Sequence, residues 1–326
     1  MPTGTKELVQ QFVGAEASRI FYTPVFMDED LKRSFTVMPN VRSKKKLYFL
    51  NKLEKILKRK IGCGFKPTGK TSMYERYVEV ELFHAGLEQC FDEFEDTAMQ
   101  ELLKPGNNIT ELTGTLIQSI SVDKIQEGVA LDVQRICWWG DRSLAGNEDY
   151  NQIDGLWKKL SAVDPSLMPN VSITDAALTD GDGIAILRSI YDAQTNELRG
   201  IDKSQKVFYV TQSVYNQYEA DLENAGGGDA GRSALINGQP QLAYRGIPVL
   251  VQTRWDGIIS ELGLGDPHRV ILSTPMNFIL ATDLMSGSID MSAKVYMDDF
   301  DEQMYTKINM KFGVDYIHES LVVLGK

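Results

Sequence analysis

Residues Gly64 to Thr71 read GFKPTGKT, which meets the phosphate-loop pattern G-x-x-x-x-G-K-S/T at every required position. In that pattern glycines let backbone N–H groups close around phosphates, the lysine reaches the outer phosphates and the Thr hydroxyl holds Mg²⁺. The chemistry also needs a context: the loop must leave a buried strand and open a helix whose N-terminus completes the anion site. Upstream, NKLEKILKRKIGC places Leu53, Ile56 and Leu57 at helical spacing among Lys52, Lys55, Lys58, Arg59 and Lys60. That is a charged amphipathic segment, not a central parallel strand. Downstream, SMYERYVEVELF alternates Val78, Val80 and Leu82 with Tyr77, Glu79, Glu81 and Phe83, the period of a half-exposed strand. The apolar runs KVFYVTQ and IPVLVQTRW end in Thr-Gln and Gln-Thr, without the Asp that would hold the metal. These flanks favour a Gly/Pro-rich turn in a basic hairpin over a nucleotide hydrolase.

Other candidate chemistry is sparse. His84, His268 and His318 stand in unrelated contexts, none paired with a second ligand at zinc-binding spacing, and read as packing or surface residues. No G-x-S-x-G elbow is present. TDGDG (Thr179–Gly183) hints at a calcium loop, but Leu178 and Ser189 occupy the positions where Asp and Glu are required, so a helix start capped by Asp182 is the better reading. RICWWGD sets Trp138 and Trp139 at the end of a helical pattern, where anchoring against a neighbouring layer is favoured over stacking on a base or sugar. The acidic run YMDDFDEQMY (Asp298, Asp299, Asp301, Glu302) reads as a turn or as a partner for basic residues rather than a metal site. Nothing has catalytic spacing, and the expectation is a non-enzyme with no cofactor and no bound metal.

Composition sets the frame for these residues. The 326 residues are 43% hydrophobic and 24% charged, an ordinary globular balance with room for one large or two ordinary domains. No run of about 18 apolar residues occurs, and the start MPTGTKELVQQF lacks the basic and apolar regions of a signal peptide. Cys63, Cys90 and Cys137, three and far apart, argue for a reducing compartment. Charge is unevenly placed. From Arg42 to Lys70 eleven Lys/Arg face one acid, Glu54, a net +10, so with −11 overall the remainder carries −21. A positive projection on a negative body suits nucleic acid or another copy of the same body.

Periodicity supplies the elements. Leu8, Phe12 and Ile20 give a short helical pattern in an arm that runs to Pro24. A strand near SFTVMPNV, a lysine-rich middle and the returning strand YERYVEVELF make a long hairpin. GLEQCFDEFEDTAMQELLKPG reads as an amphipathic helix, with Leu87, Phe91, Phe94, Ala98 and Leu102 on one stripe. Asn108, with Glu111 three places on, starts a long helix over 109–138, roughly 45 Å at ~1.5 Å per residue. From about Asn147 helices and strands alternate: DGIAILRSIYDAQTNEL helical, KVFYVT a buried strand, SVYNQYEADLEN helical, QPQLAYRGIPVLVQTRW a turn and strand. After Pro267 a run of strands closes the chain.

This order, a basic hairpin, a long spine helix, an α/β body and returning strands, resembles the major capsid proteins of tailed bacteriophages, an α+β fold of the Hong Kong 97 type. The resemblance covers nearly the whole chain. It rests on organisation and on the phrases NQIDGLWKKL, KVFYVTQSVYNQYEADLEN, GQPQLAYRGIPVLVQTRW and NFILATDL…AKVYMDDFDEQMYTKINMKFGVDY. It implies an N-terminal arm (1–30), an extended loop (31–83), a peripheral domain with the spine helix (84–146), an axial domain (147–267) and peripheral sheet strands (268–326). The loop would reach over the adjacent subunit through Arg42, Lys44, Lys45, Lys46, Lys52, Lys58, Arg59, Lys60, Lys66 and Lys70, meeting Asp298, Asp299, Asp301 and Glu302. The implied partners are other copies of the chain, in pentamers and hexamers of an icosahedral shell. Portal, decoration or separate scaffolding proteins would join it, and the shell would enclose double-stranded DNA without reading its sequence. It implies a virion protein assembled in the host cytoplasm, with no membrane. Two other readings stay open: a nucleic-acid-binding protein using 42–70, and an encapsulin-type cellular shell.

Overall fold

In a computed structural model the described residues are 7–13, 29–50, 57, 59, 73–90, 116–173, 177–224, 234–236, 239–283, 292–298 and 303–326. Two six-stranded sheets organise them. The first is built around one long strand, β15 (Gln303–Tyr316). Its other members are β1 (Glu7–Val13), β2 (Thr36–Met38), β5 (Glu81–Cys90), β13 (Phe278–Thr282) and β14 (Ser292–Asp298). The order is β1-β14-β15-β13-β2, with β5 also paired to β15. In β15 a period of two runs to Phe312: Thr306, Ile308, Met310 and Phe312 are buried while Lys307 faces solvent. Beyond it Gly313, Val314, Asp315 and Tyr316 are all buried, because both faces are covered there.

The second sheet runs β10 (Ala243–Tyr244), β11 (Ile247–Val251), β7 (Val207–Val210), β12 (Val270–Ser273), β16 (Val323–Gly325), β6 (Asn170–Val171). β7, β12 and β16 are buried along their whole length, which explains why their sequences are continuous apolar runs instead of alternating ones. β10 and β11 turn on Arg245 and Gly246, both at positive φ (52° and 83°), the backbone a two-residue hairpin loop requires. The closing run of strands expected from residue 268 therefore divides: β13, β14 and β15 join the first sheet, whereas β12 and β16 join the second. Two separate hairpins complete the strands, β3 (Lys44–Leu50) with β4 (Met73–Glu79), and β8 (Ala234–Ile236) with β9 (Gln239–Gln241).

The helices are α1 (Glu29–Ser34), α2 (Leu116–Trp139), α3 (Leu156–Ser161), α4 (Asp182–Asp192), α5 (Asn196–Arg199), α6 (Gln212–Asn224) and α7 (Trp255–Glu261). The spine, α2, ends one residue beyond its expected limit, and its expected start lies outside the described residues. Val129, Val133 and Ile136 bury its inner stripe, and Trp138 and Trp139 anchor its end. All four tryptophans meet there: Trp138 lies 4.9 Å from Trp255, Trp139 5.5 Å from Trp157, and Trp157 5.3 Å from Trp255. Aromatic pairs at these separations contribute about 0.5–1.5 kcal/mol each beyond their buried area.

Three helical expectations fail against the structure. Residues 7–13 are strand β1, paired antiparallel with β14 with a register shift between Leu8 and Gln10, because an edge of the first sheet is available to them. Residues 86–90 belong to β5, which pairs with ten residues of β15, and the strand period set by Phe83 and Ala85 overrides the local helical stripe. The rest of that stripe, from Phe91, lies outside the described residues. The helix at 182–198 breaks at Ala193, because Thr195 Oγ1 accepts from the Leu198 N–H and starts α5. At α4 the N-cap is Gly181, with Asp182 the first helical residue; the Asp182 carboxylate accepts from the Thr179 N–H at 2.7 Å.

Candidate assembly interface

The basic hairpin exists, with different strands from those expected. SFTVMPNV does not supply the outgoing strand: its Thr36–Met38 lies parallel to β13 in the first sheet. The outgoing strand is KKKLYFL, β3, paired residue for residue with β4 from Lys44↔Glu79 to Leu50↔Met73. The returning segment is also two strands. At Val80, whose N–H donates to the Ser43 carbonyl at 2.9 Å, the chain leaves the hairpin and enters the first sheet as β5. This crossing passes directly over Gly313, where a Cβ would collide with the Glu79 carbonyl.

Direct pairing puts opposite residues on one face. Lys45, Leu47 and Phe49 share the inner face with Val78, Arg76 and Tyr74; Lys44, Lys46, Tyr48 and Leu50 share the outer face with Glu79, Tyr77, Glu75 and Met73. The inner face is fixed to the body. Leu47 and Val78 pack with Val41, Ile279 and Ala281, a contribution of about 1.5–3 kcal/mol for each fully buried side chain. The Phe49 ring lies 4.3 Å and the Tyr74 ring 5.1 Å from the His318 ring. Arg76 Nε donates to Asp315 Oδ1 at 2.8 Å.

The outer face divides into two zones. Near the root, Lys44 pairs with Glu79, and Lys46 Nζ donates to Glu75 Oε2 at 3.0 Å, with both ammonium groups beside the Tyr77 ring. The hydrogen bond to Glu75 holds the Lys46 pKa above its usual value, and the bond from Lys44 holds Glu79 below the usual carboxylate range. Farther out, Tyr48, Leu50 and Met73 form an apolar patch that is 54%, 62% and 55% exposed. No described residue covers them, and a contiguous exposed apolar patch of this kind marks an interaction surface.

Of the predicted contact residues, Arg42, Lys45 and Arg59 are exposed without an ion pair among the described residues. Lys44 and Lys46 are engaged by their own hairpin. Lys52, Lys58, Lys60, Lys66 and Lys70, together with all of GFKPTGKT, lie outside the described residues, as do Asp299, Asp301 and Glu302; Asp298 closes β14. Sequence reasoning counted charge and passed over the apolar patch. Its signal was available in the facing pairs Tyr48/Glu75 and Leu50/Met73, once the register was known.

The remaining candidate sites are structural. His268 Nδ1 lies 2.9 Å from Ser213 Oγ, and His318 Nδ1 accepts from the Ser320 N–H at 3.1 Å, both rings being buried; His84 is exposed on β5. No group of His, Cys, Asp or Glu suited to a metal occurs among the described residues, and none of their helices is long and apolar enough to cross a membrane.

No family model matches the sequence, and no curated protein matches it. Solved structures do match. A chain of the satellite phage P4 procapsid that includes the size determination protein is 8% identical, with 94% of this chain and 96% of that chain covered at a TM-score of 0.56. The capsid of the Myoviridae phage XM1 is 14% identical, with 91% of each chain covered at a TM-score of 0.53. The fold is the Hong Kong 97 capsid type, over almost the entire chain.

Proposed function

We propose that this chain is the major capsid protein of a tailed bacteriophage, a non-enzymatic subunit that self-assembles into an icosahedral shell around double-stranded DNA. The observation that carries the reading is the nearly end-to-end likeness to a procapsid chain, in which no large part of either chain is left over for another task. The hairpin adds a physical reason for association. Its inner face is bound to its own subunit, and its outer face offers Tyr48, Leu50 and Met73 to something else. A repeated shell lets that something be the next copy, with closed symmetry satisfying every patch.

In this reading the hairpin lies across the adjacent subunit, in pentamers and hexamers, and the apolar patch supplies contact area. Arg42, Lys45, Arg59 and the lysines from Lys52 to Lys70 face acidic surface, with Asp298, Asp299, Asp301 and Glu302 as the partners. Exposed ion pairs contribute only ~0–1 kcal/mol each; they fix register and exclude wrong neighbours more than they add affinity. The arm, extended loop, peripheral and axial divisions of the chain follow the same anatomy. Portal, decoration or scaffolding proteins would complete the particle in the host cytoplasm. The nucleic-acid reading loses ground because Lys44 and Lys46 are already neutralised by Glu79 and Glu75.

Negative-stain microscopy and light scattering of one purified sample test the proposal. Closed shells or capsomers of five and six copies are the expected result. A monomer that stays monomeric as concentration rises, and that retards DNA with a steep salt dependence, would replace it with the nucleic-acid reading.

A further inference from the structure

Where α2 ends, the chain turns through Gly140 and Asp141 before α3, leaving an open cavity of about 250 Å³ against the segment that follows α7. Trp139 and Trp157 form one wall, their rings 5.5 Å apart and inclined by 22°; Leu144, Leu262 and Leu264 add apolar surface. Arg269 stands beside both indoles, its guanidinium carbon 5.2 Å from the Trp139 ring and 4.9 Å from the Trp157 ring, and the residue is only 8% exposed. Its Nε donates to the Asp266 carbonyl at 3.2 Å, but no carboxylate among the described residues lies within ion-pair distance of it. Lys158, in contrast, is held by Asp141 and Ser143, each at 2.9 Å.

Arg269 therefore has guanidinium N–H groups without a carboxylate partner among the described residues. The buried indole N–H groups of Trp139 and Trp157 have no acceptor among the described residues. A buried cation without an ion pair is costly, and burial pulls the Arg269 pKa below its usual value although the charge of Asp266 works against it. At about 250 Å³ the space falls below the ~300–1,000 Å³ of pockets for drug-sized ligands, so its occupant is small. Asp266 on the lining disfavours a multiply charged anion such as a nucleotide phosphate.

We infer that this cavity binds a small apolar monocarboxylate, whose carboxylate takes the outer guanidinium N–H groups of Arg269 while its apolar body lies on the indole and leucine surfaces. The geometry suits it: a planar donor fork held rigid by two rings is preorganised for a carboxylate. The inference stands apart from the shell reading and holds whether or not the subunits assemble.

Saturation-transfer NMR tests it, because the method reads the ligand and tolerates particles of any size. The probes are 4-phenylbutyrate and its uncharged amide, on wild-type protein and on Arg269→Gln and Ser161→Trp. Ser161 is an exposed lining residue, so Ser161→Trp blocks the cavity without touching the buried rings. The acid should show affinity about fivefold or more above the amide, since a charge-assisted hydrogen bond is roughly twice as strong as a neutral one. Ser161→Trp should abolish the signal, and Arg269→Gln should bring acid and amide level. Equal affinity for the two probes on wild type, or acid binding retained in Ser161→Trp, would overturn the inference even if Arg269→Gln failed to fold.

Discussion

Arg76 of β4 and Asp315 of β15 form a 2.8 Å hydrogen-bonded ion pair at the root of the hairpin, and the guanidinium carbon also lies 3.6 Å from the centre of the Tyr316 ring. The same carboxylate receives Lys159 Nζ of α3 at 3.0 Å, and Lys159 donates further to the Val314 carbonyl at 2.6 Å. Three elements far apart in sequence thus converge on one buried acid. Burial alone would lower the Arg76 pKa, but Asp315 and Tyr316 more than offset it and hold the pKa above its usual value. The direction of β3 and β4 is consequently tied to the first sheet and α3.

Removing Arg76 should loosen the hairpin before it unfolds the body. Arg76→Ala leaves Lys159 on Asp315, so the expected cost is about 1–3 kcal/mol. Asp315→Ala leaves Arg76 with Glu319 at 4.0 Å and Lys159 with the Val314 carbonyl, and should cost more than Arg76→Ala, about 2–4 kcal/mol. Urea unfolding gives the totals. Hydrogen exchange should rise across Lys44–Leu50 and Met73–Glu79 in Arg76→Ala while Val207–Val210 stays protected; uniform loss of protection would mean that the pair supports the whole fold.

Asp221 should matter out of proportion to its size. It lies on α6 but caps α4, its Oδ1 accepting from the Gly181 N–H at 2.7 Å and its Oδ2 from the Ile184 N–H at 3.0 Å. An acid at a helix N-terminus also complements the helix dipole. Asp221→Ala leaves two part-buried N–H groups without this acceptor, and a loss of about 1–2 kcal/mol is expected. Asp221→Asn keeps one acceptor and should lose less than half of that. Thermal denaturation of the two variants decides it, and equal losses would mean that shape rather than accepting capacity is what α4 needs.

The same residue shows where sequence reading stops. KVFYVT and SVYNQYEADLEN were legible as strand and helix because apolar content and a 3.6-residue period are local properties. So was the end of α2, where adjacent tryptophans need a layer to anchor against. Asp221 was not legible as a cap, because its partners are about forty residues away. Residues 7–13 and 86–90 read as helix for a related reason: only the tertiary edges of β14 and β15 make them strands. At the hairpin, charge was visible by counting, but Tyr48, Leu50 and Met73 became a single patch only through the β3–β4 register.

Asp141 gives the acid limb a testable component. Burial works to raise its pKa, but bonds from Ser143 and Lys158 prevail and hold it below the ordinary carboxylate value. A depressed folded pKa means stabilisation that is present above the unfolded value and lost as pH falls through the folded one. Asp141→Asn should therefore cost about 0.5–1 kcal/mol at neutral pH and nothing once the acid is protonated in both states. Stability of wild type and variant measured down the acid limb should converge below the ordinary carboxylate range; a constant gap would place the effect in packing.

The outer face of the hairpin carries the strongest prediction about assembly. Leu50 is 62% exposed and Tyr48 54%, so Leu50→Glu and Tyr48→Glu remove no core contact, and each should change subunit stability by less than about 0.5 kcal/mol. A neighbouring subunit lying on this face would have to bury the new carboxylate, at a cost of several kcal/mol unless it is paired. Every subunit in a shell would carry that cost. The expected result is normal unfolding curves with no closed particles in light scattering, and recovery in Leu50→Met, which restores an apolar side chain of similar volume. Charge reversal of Lys45 and Arg59 should have a smaller effect that fades with salt. Shells of normal size and yield from both glutamate variants would move the subunit contact away from β3 and β4 altogether.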